Sequence, residues 1–361
     1  MFPGSKLPGG ALDEENNGSM TFPTLYLSKP GVVFPKKQYK NEDILKLVHD
    51  NYKGGEEHWG YLESAMKKVF EKCNTHERYL ELDPSQRVAD LAADAARKCL
   101  ERTGTTIDDI DVVIFGGIAR EYFEPATAME VAHKLGIKET HAFDVTTACV
   151  GHLEAIQVAC GYLNMHDHYT TALVCTAELS REFLSFDIQT PSDLYLKAAG
   201  LTIGNAAACM LVSKNPWKDG CARLISADTF SLPSHWELCQ VPIHGQFISS
   251  STELMKLHRN IAPRLKVVFE RLGWEANDVD HYVFHQPSEF MTRKILSTIG
   301  ADEDKGIYTH HLYGNNASAT VGVVYEELLK QREVKAGDKL MFGSAASGFT
   351  MMTAAGIWMQ E

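Results

Sequence analysis

The sequence predicts an α/β protein made of two related halves, and three observations predict it. Leu100-Glu101-Arg102-Thr103-Gly104 leads through Asp109-Ile110-Asp111 into Val112-Val113-Ile114-Phe115, while Phe269-Glu270-Arg271-Leu272-Gly273 leads through Asp278-Val279-Asp280 into His281-Tyr282-Val283-Phe284. The two stretches match without a gap, and each reads as a helix end, a glycine C-cap, an acidic loop and a buried strand. A helix over 151–163 followed by a strand over 171–175 is echoed by a helix over 321–331 and a strand over 339–342, as a duplication requires. Composition agrees: 361 residues, 44% hydrophobic and 23% charged, are enough for two packed halves.

The halves divide as residues 20–218 and 219–361. Residues 1–19, rich in Gly, Pro, Asn and acid, read as a disordered tail or an expression remnant, with Met20 a possible natural start. A net charge of -12 argues against a general nucleic-acid binder, which needs clustered Lys and Arg. No apolar run approaches the ~20 residues of a membrane helix, and no secretion signal opens the chain. Eight cysteines without regular spacing and without a CxxC pair point to a reducing cytoplasm, and away from disulfides or structural zinc.

The segment His141 to Gly151 carries the first chemical signal. His141–Val145 suits a short strand, Thr146–Ala148 a tight turn, and the residues after Gly151 an amphipathic helix, so Cys149 lies where a strand turns into a helix. Free amides and the helix dipole there favour a thiolate and can bind an oxyanion. The alternative is a small buried cysteine at a packed helix start, as expected of Cys99, Cys160, Cys175 and Cys209. In the second half His285 follows the repeat strand in Phe284-His285-Gln286-Pro287-Ser288, where residues of open α/β sheets face ligands. Asn315 lies in Gly314-Asn315-Asn316-Ala317-Ser318-Ala319, a turn equivalent in the duplication to the region of Cys149. Imidazole and amide can together stabilise an enolate oxygen; a core histidine and a helix cap are their plainer readings.

In order, the cysteine turn, the His-Gln-Pro-Ser strand end, the Gly-Asn-Asn-Ala-Ser-Ala turn and the closing Gly343-Ser344-Ala345-Ala346-Ser347-Gly348-Phe349-Thr350 resemble the β-ketoacyl-acyl-carrier-protein synthase III family of the thiolase superfamily, over roughly residues 21–361. The resemblance implies the thiolase fold, αβαβα, and a homodimer. It implies a Cys149, His285, Asn315 triad, with the acyl oxyanion held by the backbone amides of Cys149 and Ser347. It also implies acyl-CoA or acyl-carrier-protein thioesters as substrates, with no metal or redox cofactor. No cysteine follows Cys239, so the second catalytic cysteine of true thiolases is missing. The implied reaction is acyl transfer to Cys149 and then Claisen condensation with a second thioester, decarboxylative or not. An acyltransferase to an alcohol or amine, and a non-catalytic partner subunit, are the alternatives.

Four segments depart from that family pattern. Glu124, in Arg120-Glu121-Tyr122-Phe123-Glu124-Pro125, resembles the glutamate by which head-to-head condensing enzymes of olefin synthesis reach the neighbouring subunit's site as a base; its plainer reading is an acid complementing a helix start. Gly204-Asn205-Ala206 reads as structural. Leu179–Gly200 reads as a helical excursion lining the substrate tunnel or a subunit contact, or else as a surface insertion. The family's Arg after the His motif is displaced to Arg293 and Lys294, and Lys256, Arg259, Arg264 and Lys266 form a basic helix face for carrier-protein or CoA docking, or a solvated one.

Overall fold

A computed structural model of the chain describes residues 24–360, so the expected tail over 1–19 lies outside the described residues. The strands are β1 Leu25–Ser28, β2 Gly31–Val33, β3 Gln38–Lys40, β4 Glu77–Tyr79, β5 Val112–Phe115, β6 His141–Asp144, β7 Thr171–Glu178, β8 Ala206–Ser213, β9 Cys221–Ser231, β10 Cys239–Gln240, β11 Ile248–Ser249, β12 His281–Phe284, β13 Lys339–Ala346 and β14 Thr350–Met359. The helices are α1 Asn41–Asn51, α2 Glu56–Cys73, α3 Val88–Thr103, α4 Thr127–Leu135, α5 Gly151–Met165, α6 Pro191–Lys197, α7 Ser251–Lys256, α8 Ile261–Leu272, α9 Glu289–Ile299, α10 His310–Tyr313 and α11 Thr320–Gln331.

The repeat is visible residue by residue. α3 ends on Gly104 at φ 65° and α8 on Gly273 at φ 66°, the left-handed position that glycine adopts without a Cβ penalty. One-turn helices at Ile107–Asp109 and Ala276–Asp278 then lead into β5 and β12. Pairing repeats as well. β5–β7 and β12–β13 are parallel, β7–β8 and β13–β14 antiparallel, and β8–β1 and β14–β9 antiparallel. Where β6 adds to β5, the second half has a single parallel bridge, Tyr282 to Gly306. Antiparallel pairing of β1 with β9 joins the two half-sheets into one run of nine strands, and β2, paired with β8 off that run, makes the sheet ten-stranded.

Burial on both faces sets the layers, because a strand covered by helices on each side carries apolar residues at successive positions. Val112 and Ile114 face a central layer with α5 and α11, together with Val283 and Phe342 of the other half. Val113 and Phe115 face α3 and α4 on one outside, and Tyr282 and Met341 face α8 and α9 on the other. The order is therefore helix, sheet, helix, sheet, helix, the expected αβαβα. α1, α2 and α6 pack as a separate cap around Ile44, Met66, Phe70 and Leu194. The expected boundary at 218 falls in the segment between β8 and β9.

Packing at the centre leaves no room at one place. A Cβ on Gly116, just after β5, would come 2.3 Å from the Gly151 carbonyl oxygen at the start of α5. Because backbone cannot yield as a flexible side chain can, Gly116→Ala is expected to destabilise the protein by about 1–3 kcal/mol. Urea unfolding measures this, and an unchanged midpoint would show that the strand and helix can separate.

Candidate active site

β6 ends at Asp144, whose carboxylate accepts the Thr127 and Ala128 amides at 2.9 Å each and so caps α4. The chain then turns through Ala148 at φ 49° into a one-turn helix, Ala148–Val150, directly before α5. A left-handed alanine costs about 1–2 kcal/mol, and such strain persists where surrounding structure demands it. The second half repeats the device: Ala317 at φ 47° opens the one-turn helix Ala317–Ala319 before α11. The residue at the place of Cys149 is therefore Ser318, while Asn315 stands three residues earlier in the same turn.

Each turn is fastened to the half-sheet of the other half. Ser344 of β13 donates to the Cys149 carbonyl at 3.0 Å, and Thr176 of β7 hydrogen-bonds Ser318. Asn315 is bound through its backbone to Thr202 and Gly204, and its Oδ1 accepts the Ala317 amide at 2.9 Å. His285 continues β12 by donating its amide to the Gly343 carbonyl at 2.8 Å. The neighbouring Gln286 is wholly buried; its Oε1 accepts the Thr309 and His310 amides, which fixes the approach to the Asn315 turn.

Cys149, His285, Asn315 and Ser347 line one cavity of about 680 Å³, walled by both halves and roofed by α2 and α6. Its remaining wall is largely apolar, with Val69, Leu194, Phe247, Ile261, Leu265 and Ile295 among the lining residues. Phe183, Leu194, Tyr195, Ala198 and Ala199 place the segment 179–200 in that wall, although only Pro191–Lys197 within it forms an α-helix. Asn205 is structural as expected, its side chain joining the Glu81 amide to Ser180.

The electrostatics correct one expectation. Burial, with Cys239 and Glu178 facing it, pushes the Cys149 thiol well above its ordinary range, so desolvation outweighs the helix start and the resting group is a thiol. Burial also lowers the His285 imidazole to about 3, with His310 adding to the effect. His285 is thus neutral, and its Nδ1 finds no partner among the described residues.

Glu124 does not line this cavity. It is exposed, on a loop held by Arg120 on Thr146 and by Glu121 on the Val88 amide, and Tyr122 and Phe123 beside it are 50% and 77% exposed. The expected basic helix face is also corrected. Lys256, Arg259 and Arg264 fall on three successive short helices, and Arg264 turns inward to clamp Asp228, whose side chain is 7% exposed, with Arg271. Cationic partners offset the cost of burying this carboxylate. Arg293 is occupied by Glu289 and Glu303 and stacks on Tyr308 at 3.8 Å, whereas Lys256, Arg259 and Lys294 stay exposed. Sequence reasoning missed Lys72, which lines the cavity 5.9 Å from the exposed ring of Phe290, and Cys239 and Glu178 in the wall. A charge ending the apolar run Ala172–Ala177 was the available signal for Glu178.

This five-layered, duplicated architecture is the thiolase fold. Family models for the thiolase N-terminal domain, for 3-oxoacyl-[acyl-carrier-protein] synthase III and for that enzyme's C-terminal domain match residues 77–184, 143–232 and 269–358. A β-ketoacyl-[acyl-carrier-protein] synthase III of Chlamydia caviae is 25% identical over 326 residues, 89% of this chain and 92% of its own. An acyl-CoA:acyl-CoA alkyltransferase of Xanthomonas campestris is 27% identical over 286 residues, 76% of this chain and 84% of its own. Among solved structures, a Xanthomonas campestris OleA variant with bound lauric acid and lauroyl-CoA superposes with a TM-score of 0.84 at 23% identity, covering 94% of this chain and 100% of that one. The cerulenin-bound form of OleA has a TM-score of 0.84 at 22% identity, with 94% and 98% covered. The chain thus carries matches to the thiolase and synthase III models over residues 77–232 and 269–358, and it resembles the β-ketoacyl synthase III-like enzymes of the thiolase superfamily.

Three buried imidazoles set a pH dependence. Burial lowers His285 to about 3 and His152 and His310 to about 4, below the ordinary value of 6.5. The unfolded chain takes up these protons as pH falls through about 6.5 while the folded chain does not, so stability is complete above that value and is lost toward about 4. Three such groups give a slope of up to about 4 kcal/mol per pH unit. The urea midpoint should therefore fall between pH 7 and pH 5; a constant or rising midpoint would contradict the burial of these rings.

Proposed function

We propose that the protein is a condensing acyltransferase: Cys149 takes an acyl group from a CoA or carrier-protein thioester, and a second thioester then attacks the acyl-enzyme to give a β-keto product. The observation that carries this reading is the meeting of Cys149, His285 and Asn315 on one largely apolar cavity, each delivered by a different turn of the duplicated fold. The family and the printed activities of the relatives support it.

The chemistry follows from the resting states. The Cys149 thiol, buried opposite Glu178, rests protonated, so its proton leaves as sulfur attacks the thioester carbonyl, and the departing thiolate of the donor takes a proton in turn. On this reading the amides of Cys149 and Ser347, both in the cavity lining, receive the oxyanion. After acylation, His285 and Asn315 stabilise the enolate of the second thioester, which attacks the acyl carbon and releases Cys149. Lys72, Lys256, Arg259 and Lys294 are the exposed cations that would meet phosphates of CoA or a carrier protein, with Arg293 committed to its own carboxylates. CoA and phosphopantetheine thioesters serve as substrates, and no step calls for a metal or redox cofactor. We assign the reaction to the cytoplasm.

A homodimer completes the proposal. β6 ends the run of strands with an exposed edge, and Tyr122, Phe123 and Met129 leave an apolar surface next to it. Glu124 rides on that surface away from its own cavity, which suits a base delivered to the partner's site.

Intact-mass measurement with a panel of acyl-CoAs tests the first half-reaction: Cys149→Ala should gain no acyl mass. His285→Ala and Asn315→Ala should still acylate while condensing about 10²–10³-fold more slowly, the cost of one lost oxyanion donor. Both variants condensing at wild-type rate would remove the triad.

Glu124→Gln should acylate normally and fail to condense a second thioester that has no carboxylate to lose, since nothing then takes its α-proton. A malonyl-type extender should be affected less. Co-expressed Cys149→Ala and Glu124→Gln chains should partly restore activity. Normal condensation of both extenders by Glu124→Gln would leave the residue a helix-start acid.

A further inference from the structure

Among the described residues Glu178 is the sole carboxylate lining the cavity, and its side chain is 1% exposed. Burying a carboxylate is costly unless hydrogen bonds offset the loss of water. Three donors reach this one: the Ile118 amide at 3.1 Å, the Ala119 amide at 3.2 Å, and the Ser318 hydroxyl, itself hydrogen-bonded to Thr176. The donors come from both halves. Ile118 and Ala119 begin the loop that leads to Glu124, whereas Ser318 belongs to the turn that carries Asn315.

The fold itself does not require an acid here. β7 and β13 occupy equivalent places in the duplication and have equal length, and β13 ends on Ala346 where β7 ends on Glu178. The second half thus closes the same strand end with a methyl group. The carboxylate is particular to the half that also bears Glu124, in the loop after β5.

We propose that Glu178 is a positioning residue for carbon-carbon bond formation, one carboxylate that holds the root of the Glu124 loop and the Asn315 turn in fixed relation across the two halves. The role rests on the condensing-enzyme reading above. Gln in its place keeps the size and one acceptor but sets an NH2 group against a backbone N–H, so one of the two attachments must shift. A displacement near 1 Å at reacting groups costs on the order of 10²-fold in rate.

Glu178→Gln is therefore expected to melt near the wild type and to acylate Cys149 no more slowly than the wild type, since removing the carboxylate that faces the thiol eases loss of its proton, while kcat for condensation falls about 10²-fold with KM nearly unchanged. Condensation at the wild-type kcat, or acylation and condensation falling in parallel, would overturn the role. If that variant does not fold, Ser318→Ala removes a single donor from the other side and should give the same selective, smaller loss of kcat; an unchanged kcat there overturns the role equally. The wild type run beside them separates the two levels of the argument. A wild type that acylates without condensing overturns the underlying reading, whereas a condensing wild type matched by the variants overturns only the part given to Glu178.

Discussion

Two helices packed between the half-sheets, each entered through a crowded chain reversal, govern this molecule. α11 is buried from Thr320 to Leu328, whereas α5 buries one broad face and keeps an exposed row at Gln157, Gly161 and Met165. Glu326 and Glu327 on α11 are neutralised by Lys98, Arg102 and Lys330 at the edge. α5 starts just past the end of β6 and α11 just past α10, so in both places the chain must reverse within a few residues under crowded backbone. The Gly116–Gly151 contact and the left-handed Ala148 and Ala317 are the results.

The chemistry is a consequence of that geometry. A reversal at the N-terminus of a central helix points its turn at the other half, so Cys149 is fastened by Ser344 of β13 and Ser318 by Thr176 of β7. Duplication gives both turns the same shape and leaves the side chains free to differ. One carries the thiol we propose as acyl acceptor, and the other a hydroxyl committed to Glu178, with Asn315 supplying the amide.

Enclosure by the cap of α1, α2 and α6 has an electrostatic effect as well as a steric one. Removing water raises the thiol and lowers the imidazole, so the resting cavity contains neutral partners in place of an ion pair. An apolar wall is compatible with such a site, because no permanent charge on Cys149 or His285 has to be solvated there. Burial raises the Glu178 acid, and three donors from two halves oppose that shift.

The sequence by itself determined the duplication, the α/β class, the Cys149 turn and the strand end at His285, because glycine caps, acidic loops, strand periodicity and small-residue turns are local features readable in a short window. Resemblance of four motifs in order added the triad. Tertiary structure alone decided that Ser318, three residues beyond Asn315, occupies the place of Cys149, and that Glu178 joins Ile118, Ala119 and Ser318. It also decided that the Cys149 thiol is raised where a helix start suggested lowering, and that Arg264 faces Asp228 instead of a docking partner. Ionisation and ion pairing depend on water exclusion and on neighbours contributed by distant segments. Those quantities exist only once the two halves have closed on each other.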